Sequence, residues 1–182
     1  MPAIVCLLRG VNMGAHNRMK MEPLRALFDS LRLRNPRTYI QSGNVVFTTS
    51  EKDLDKLAAR IRLAVGRDFG FHPDVLLRTA AELGGVAARN PFSGRTDVSG
   101  DRLVVFFLPA EPGPEARQRV LALNSGPEEI HFDGRELYIH FPNGVSQSKL
   151  SLPAVERALK STWTGRNWNT VLKLLEMTQA TA

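Results

Sequence analysis

A chain of 182 residues with a 43% hydrophobic share can bury one compact domain or two small fused ones. No apolar run approaches the roughly 18 residues of a membrane-spanning helix, and a single cysteine, Cys6, excludes an internal disulfide and reads as a buried, inert thiol. The net charge of +6 is concentrated at the front: residues 1–50 carry Arg9, Arg18, Lys20, Arg25, Arg32, Arg34 and Arg37 against Glu22 and Asp29, whereas ten basic and ten acidic residues balance from Phe92 onward. That asymmetry favours a phosphate-bearing partner. An arginine-rich composition, with Arg outnumbering Lys three to one, explains it without one.

Met1-Pro2-Ala3 leads straight into Ile4 to Leu8, an apolar run that predicts a strand ended by Arg9-Gly10. With no basic leader ahead of it, the expected location is cytoplasmic. A helix is expected from about Glu22, with Pro23 in its first turn and Leu24, Leu27, Phe28 and Leu31 on one face. Thr38 to Gln41 and Val45 to Thr49 are β-prone runs divided by Ser42-Gly43. That division predicts a hairpin turn, the alternative being a bulge within one long strand. Ser50 and Asp53 read as a capping pair for a helix with the stripe Leu54, Leu57, Ile61 and Val65. Pro73 to Arg78 is a further strand, and Thr79 with Glu82 forms a capping box for a short helix ending near Ala88.

A second round begins at Arg102. Val104 to Leu108 predicts a strand and Pro114 to Leu123 a helix. Glu129 to Phe132 and Leu137 to Phe141 flank Asp133-Gly134, a strong hairpin signal. Ser151 caps a helix carrying Leu152, Val155 and Leu159. The last helix starts near Asn167, with Trp168, Val171, Leu172 and Leu175 as its stripe and Met177 to Ala182 as a frayed tail. Both halves share a βαββα order, and the link from Asn90 to Gly100 is rich in Gly, Ser and Asp. The expected fold class is α+β: two tandem ferredoxin-like (βαββαβ) α/β plaits packed as one body. The first covers residues 1–90 and the second, with the C-terminal helix, residues 101–182. A single mixed sheet covered by helices is the rival.

Three polar motifs stand out: Arg9-Gly10-Val11-Asn12, Gln41-Ser42-Gly43-Asn44 and Arg166-Asn167-Trp168-Asn169-Thr170. They hold Arg, Gln and Asn but no Asp, Glu, His or Cys, so they can donate hydrogen bonds and attract negative charge but are poorly equipped to move protons. In a βαββαβ plait the loop after strand one and the turn between strands two and three lie at the same sheet end, which brings Arg9 and Asn12 towards Gln41, Ser42 and Asn44. Pure turn roles for these residues are the bland alternative. Asn167 sits where an N-cap belongs, and Arg166 precedes a helix start that favours an anion, a tension that a shared phosphate or carboxylate would relieve. Ser146-Gln147-Ser148-Lys149 has the Ser-x-x-Lys spacing of some acyl-transfer enzymes without its companion elements. Lys149 is better read as a further positive contact.

The candidate ligand-binding residues are therefore Arg9, Asn12, Gln41, Ser42, Asn44, Lys149, Arg166, Asn167 and Asn169. No catalytic residue is assigned, no cofactor motif occurs, and His16, His72, His131 and His140 lack metal-ligand spacing. Leu7 to Gly14, Arg37 to Phe47, Asn90-Pro91-Phe92 and Thr164 to Val171 together resemble domain-of-unknown-function family 1697. The likeness implies a bacterial-type α+β protein and brings no activity or catalytic residue with it. Two positions depart from the family pattern: Ala15 stands at a usual Gly, and Arg32 replaces the Gly after the first helix, which puts a left-handed cap there in doubt.

The leading expectation is binding of an anionic ligand, such as a nucleotide or nucleic acid. RNA stacking on Tyr138 and His140, which alternate along one strand, ranks lower because the Lys/Arg-Gly-Phe-Gly-Phe signature is missing and paired plaits can bury that face. An enzyme that stabilises negative charge through Arg and Asn is the second reading, with Asp101 or Glu136 as distant proton carriers. A protein-interaction module with the motifs buried is the third. No membrane partner is expected, and the sequence leaves the oligomeric state open.

Overall fold

The computed structural model describes residues 1–181. The first apolar run forms β1 (Ala3–Leu8), buried along its whole length. It is followed by α1 (Met21–Ser30), β2 (Arg34–Tyr39), β3 (Asn44–Thr48), α2 (Leu54–Phe69), β4 (Val75–Thr79) and α3 (Ala80–Ala88). The four strands make an antiparallel sheet in the order β2-β3-β1-β4. Period-two alternation sends Ile4, Cys6, Leu8, Val45, Phe47 and Leu77 to one face, where they meet Leu24, Leu27 and Phe28 of α1 and Leu57, Ile61 and Val65 of α2. Phe28 meets Phe47 edge-on at 5.2 Å between ring centroids.

Local signals set the helix ends. The Asp53 carboxylate accepts the Lys56 N–H at 3.0 Å and opens α2 alone, while Ser50 is exposed and takes no part. Gly70 closes that helix in the left-handed region. The Thr79–Glu82 box is reciprocal: Thr79 N–H donates to Glu82 Oε2 at 2.8 Å, and Glu82 N–H donates to Thr79 Oγ1 at 3.1 Å. The hairpin reading of Gln41 to Asn44 holds, and β2 begins at Arg34, ahead of the expected Thr38. A bulge does occur, but between Arg34 and Arg37.

Arg32 takes the left-handed conformation at φ 61°, so the geometry doubted from the sequence is present without its glycine. A side chain there costs about 1 kcal/mol. Arg32→Gly is therefore expected to raise stability by about 0.5–1 kcal/mol, read as a higher urea midpoint at unchanged slope.

The second half supplies β5 (Leu103–Phe107), α4 (Pro114–Leu123), β6 (Glu129–Asp133), β7 (Glu136–His140), α5 (Leu152–Leu159), β8 (Thr164–Asn167) and α6 (Trp168–Thr181). Its sheet has the order β6-β7-β5-β8, again antiparallel. Val104, Phe106, Leu137 and Ile139 share a core with Val120 of α4 and Val155 of α5. One strand left unassigned along the sequence is added here, and one expectation is corrected. The segment before the last helix is a strand, because Thr164 to Asn167 pairs with β5; Gly165 fits since a Cβ there would lie 2.8 Å from the Phe106 ring. The expected tail from Met177 is helical, and Met177 and Thr178 are 5% and 2% exposed. The apolar spacing Val171, Leu174, Met177 carries α6 on. Ala182 lies outside the described residues.

Among the described residues the chain thus holds two four-stranded antiparallel sheets and six α-helices, an α+β architecture rather than one mixed sheet. It divides into two compact units, Met1–Gly84 with the residues from Lys173 on, and Gly85–Leu172. The divisions fall within α3 and α6, whereas the sequence suggested residues 90 and 101. The 90–100 segment is itself folded into the second unit, with Phe92 buried and Arg95 paired to Glu129 at 2.7 Å. No helix among the described residues is long and apolar enough to cross a membrane.

Candidate functional site

In the first unit the loop after β1 meets the β2–β3 turn, as connectivity requires. Leu8 N–H donates to Gly43 O at 2.8 Å, and the Asn12 side chain ties the two segments together. Its Nδ2 donates to Met19 O at 2.9 Å and to Gln41 O at 2.7 Å, while its Oδ1 accepts the Met19 N–H at 2.7 Å. Asn12 holds φ 55°, a conformation its short amide tolerates better than most side chains. Gly43 has φ 78°, and a Cβ there would stand 2.9 Å from Leu8 Cβ. Asn44 is fully buried and donates to Tyr39 O at 3.1 Å and Ser42 Oγ at 2.9 Å.

Asn12, Ser42 and Asn44 therefore build the turn, and their polar atoms are engaged by neighbouring chain. Arg9 is engaged as well. It sits 3.8 Å from the Asp74 carboxylate, and its N–H donates to Asp74 O at 3.0 Å. Gln41 is exposed at the rim.

A cavity of about 540 Å³ opens beside this clip, lined by Asn12, Gly14, Arg18, Met19, Lys20, Met21 and Gln41. Lys20 is the N-cap of α1 and supplies no side-chain cap, so the first-turn N–H groups at the cavity wall lack that partner. Arg18 and Lys20 are exposed and form no ion pair among the described residues. In the sequence these two count only towards the basic half. Their signal is the one that marks Arg166, a cation at a helix start, although Glu22 follows in the first turn of α1.

The second unit holds the remaining four candidates. Arg166 is 8% exposed within β8, and its Nη1 donates to Thr164 Oγ1 at 2.7 Å and Gly165 O at 2.8 Å. The expected tension with a helix dipole is thus absent, because Arg166 belongs to a strand and is bonded there. Asn167 Oδ1 accepts the Thr170 N–H at 2.9 Å, the N-cap role read from sequence. Asn169 is exposed and its Oδ1 lies against Gly100, where a Cβ would stand 2.1 Å away. Lys149 is exposed. Ser148 donates to the buried Glu128 Oε1 at 2.7 Å, while Ser146 stays exposed.

A smaller space of about 240 Å³ beside Trp168 is lined by Asn90, Ser93, Arg95 and Ser99, among others. Arg95 is held by Asp97 and Glu129, and its guanidinium hydrogen bonds keep both carboxyls below the usual range. The same guanidinium lies over Phe92, 5.4 Å from the ring centroid. Tyr138 is buried, its hydroxyl donates to Val86 O at 2.8 Å, and burial raises its pKa well above the ordinary range. With His140 also buried, β7 presents no open stacking platform. Among the described residues no group of three or more His, Cys, Asp or Glu side chains is placed to hold a metal ion.

Fold and loop geometry define a two-unit α+β protein with a donor-rich, basic cavity at one sheet end of the first unit. The chain belongs to the family described as "Protein of unknown function (DUF1697)", which matches residues 1–138. No curated protein matches it. Among solved structures it is similar to the conserved bacterial protein SP0830 from Streptococcus pneumoniae, with 21% identity, 97% of this chain and 98% of that chain covered, and a TM-score of 0.72. That likeness concerns the fold.

Proposed function

We propose that the first unit binds an anionic ligand, one bearing phosphate or carboxylate, in the cavity between the β1–α1 loop and the β2–β3 turn. The observation that carries this reading is the placement of Arg18 and Lys20, two exposed cations outside any ion pair among the described residues, at a start of α1 with no side-chain cap. The lining contains no acid to repel an anion, although Glu22 is exposed one residue beyond it. A volume of about 540 Å³ falls among the sizes of small-molecule sites, roughly 300–1,000 Å³. The nine residues chosen from sequence divide under this reading. Gln41 keeps a contact role and Asn12, Ser42 and Asn44 support the walls, while Arg9, Lys149, Arg166, Asn167 and Asn169 stand apart from the lining.

Binding is the reading these side chains favour over turnover. No carboxylate, His or Cys lines the cavity, and Lys20 is its one side chain able to give or take a proton. Asp101 is exposed and Glu136 buried in β7, both in the second unit. We also read each unit as a ferredoxin-like plait. The strand orders β2-β3-β1-β4 and β6-β7-β5-β8 support that reading, each with two helices between its strands.

The test is calorimetric titration with inorganic phosphate and with AMP. Arg18→Ala/Lys20→Ala is expected to weaken AMP binding about 100-fold, at roughly tenfold for each charge-assisted contact. Arg166→Ala is expected to leave it within about twofold. Undiminished AMP affinity in the Arg18/Lys20 variant would overturn the site.

A further inference from the structure

We infer that the cavity is the end of a track for single-stranded nucleic acid, running back along the edge strand β2; this rests on the anion-binding reading above. The carrying observation is the bulge in β2. Arg34 pairs with Thr48 and Arg37 with Val46, so residues three apart on β2 face residues two apart on β3. Without the bulge, strict alternation would send the two arginines to opposite faces. The extra residue brings both to one face, the face that Tyr39, opposite Asn44, also occupies. Asn35 accommodates this at φ 53°, a conformation L-residues seldom adopt.

The result is an ordered row of Arg34, Arg37 and Tyr39 along the edge strand, on the face turned away from α1 and beside the buried Thr48, Val46 and Asn44; the chain leads on from it through the turn to Gln41 at the cavity rim. Arg34 and Arg37 are exposed and, like Arg18 and Lys20, form no ion pair among the described residues. Elsewhere many arginines are neutralised in place, as in Arg67–Asp68, Arg89–Asp133, Arg95–Glu129 and Arg117–Glu111. Tyr39 is half-buried and forms no side-chain bond among the described residues, which leaves ring surface for stacking.

Guanidinium groups in a row match successive phosphates, and an aromatic ring among them takes an unstacked base of any identity. A lone nucleotide would use the cavity and leave β2 idle. A duplex would keep its bases from Tyr39. The edge strand also cannot recruit another strand easily, because Pro36 and two arginines interrupt it. Its exposed side is therefore suited to a backbone of phosphates rather than of peptide.

The experiment measures fluorescence polarisation of a labelled ten-nucleotide oligo-dT across a salt series, beside calorimetry with AMP. A labelled duplex and phosphatidylserine vesicles are the comparison arms. Four neutralised phosphates predict a slope of log affinity against log salt of about −2.8 for the unmodified protein. Arg34→Ala/Arg37→Ala is expected to reduce that slope to about −1.4 and to leave AMP binding unchanged. Tyr39→Leu is expected to weaken oligo-dT about tenfold at an unaltered slope.

If oligo-dT binds with the slope and affinity of AMP, or the Arg34/Arg37 variant keeps the full slope, the track is refuted and the cavity reading stands. Duplex binding equal to single-strand binding, or vesicle binding without oligo-dT binding, also overturns the inference. If neither AMP nor oligo-dT binds, both readings fail together.

Discussion

Replacing Asn12 by Asp is expected to remove ligand binding and to lower stability by about 3 kcal/mol, although the two side chains have nearly the same shape. The Asn12 amide donates to two carbonyls, Met19 O and Gln41 O, and accepts from Met19 N–H. A carboxylate keeps the acceptor but turns a donor of two hydrogen bonds into an oxygen facing two carbonyl oxygens. Each lost bond costs about 1 kcal/mol, and the stranded acceptors add about 1–3 kcal/mol. The loop that carries Arg18 and Lys20 would then part from the turn that carries Gln41. Urea unfolding gives the stability change and AMP titration the loss of binding. Asn12→Asp with native affinity would show that the clip does not hold the cavity walls.

Gly43→Ala is the second substitution with a large expected effect. At φ 78° any Cβ is strained, by about 1–2 kcal/mol. Space is also lacking, since the added carbon would sit 2.9 Å from Leu8 Cβ and 3.1 Å from Leu8 O. Those atoms belong to β1 and cannot swing aside like the end of a long side chain. We expect a total loss of about 3–4 kcal/mol, with the Leu8 N–H to Gly43 O bond broken. Gly10→Ala is a useful contrast, because it shares the positive φ at 69° but meets no atom within 4 Å. Its cost should stay near the conformational term, about 1–2 kcal/mol. Equal losses at the two glycines in urea unfolding would remove the packing argument for Gly43.

What could be read from sequence was what is encoded locally. Leu57, Ile61 and Val65 announce the buried stripe of α2, Pro114 opens α4, and Thr79 and Glu82 cap α3, each within a few residues. The meeting of the first two polar motifs follows from connectivity, given a hairpin turn at Ser42-Gly43. Strand β8 was hidden because Thr164-Gly165-Arg166-Asn167 shows no alternation, and its partner β5 lies far back in the chain. Likewise Arg9 and Arg18 look alike in a one-dimensional reading. Only folding brings Asp74 to the first and leaves the second outside any ion pair among the described residues. The bulge that turns Arg34 and Arg37 to one face was equally silent, since Arg34-Asn35-Pro36 reads as loop.

Amide resonances followed while inorganic phosphate and then AMP are added would decide the matter at single-residue resolution. Saturable shifts are expected at Arg18, Lys20, Met21 and Gln41, with Thr164 to Asn169 unmoved. Saturable shifts confined to that later stretch, or none at the opening of α1, would contradict a basic cavity in the first unit as the place where negative charge is received.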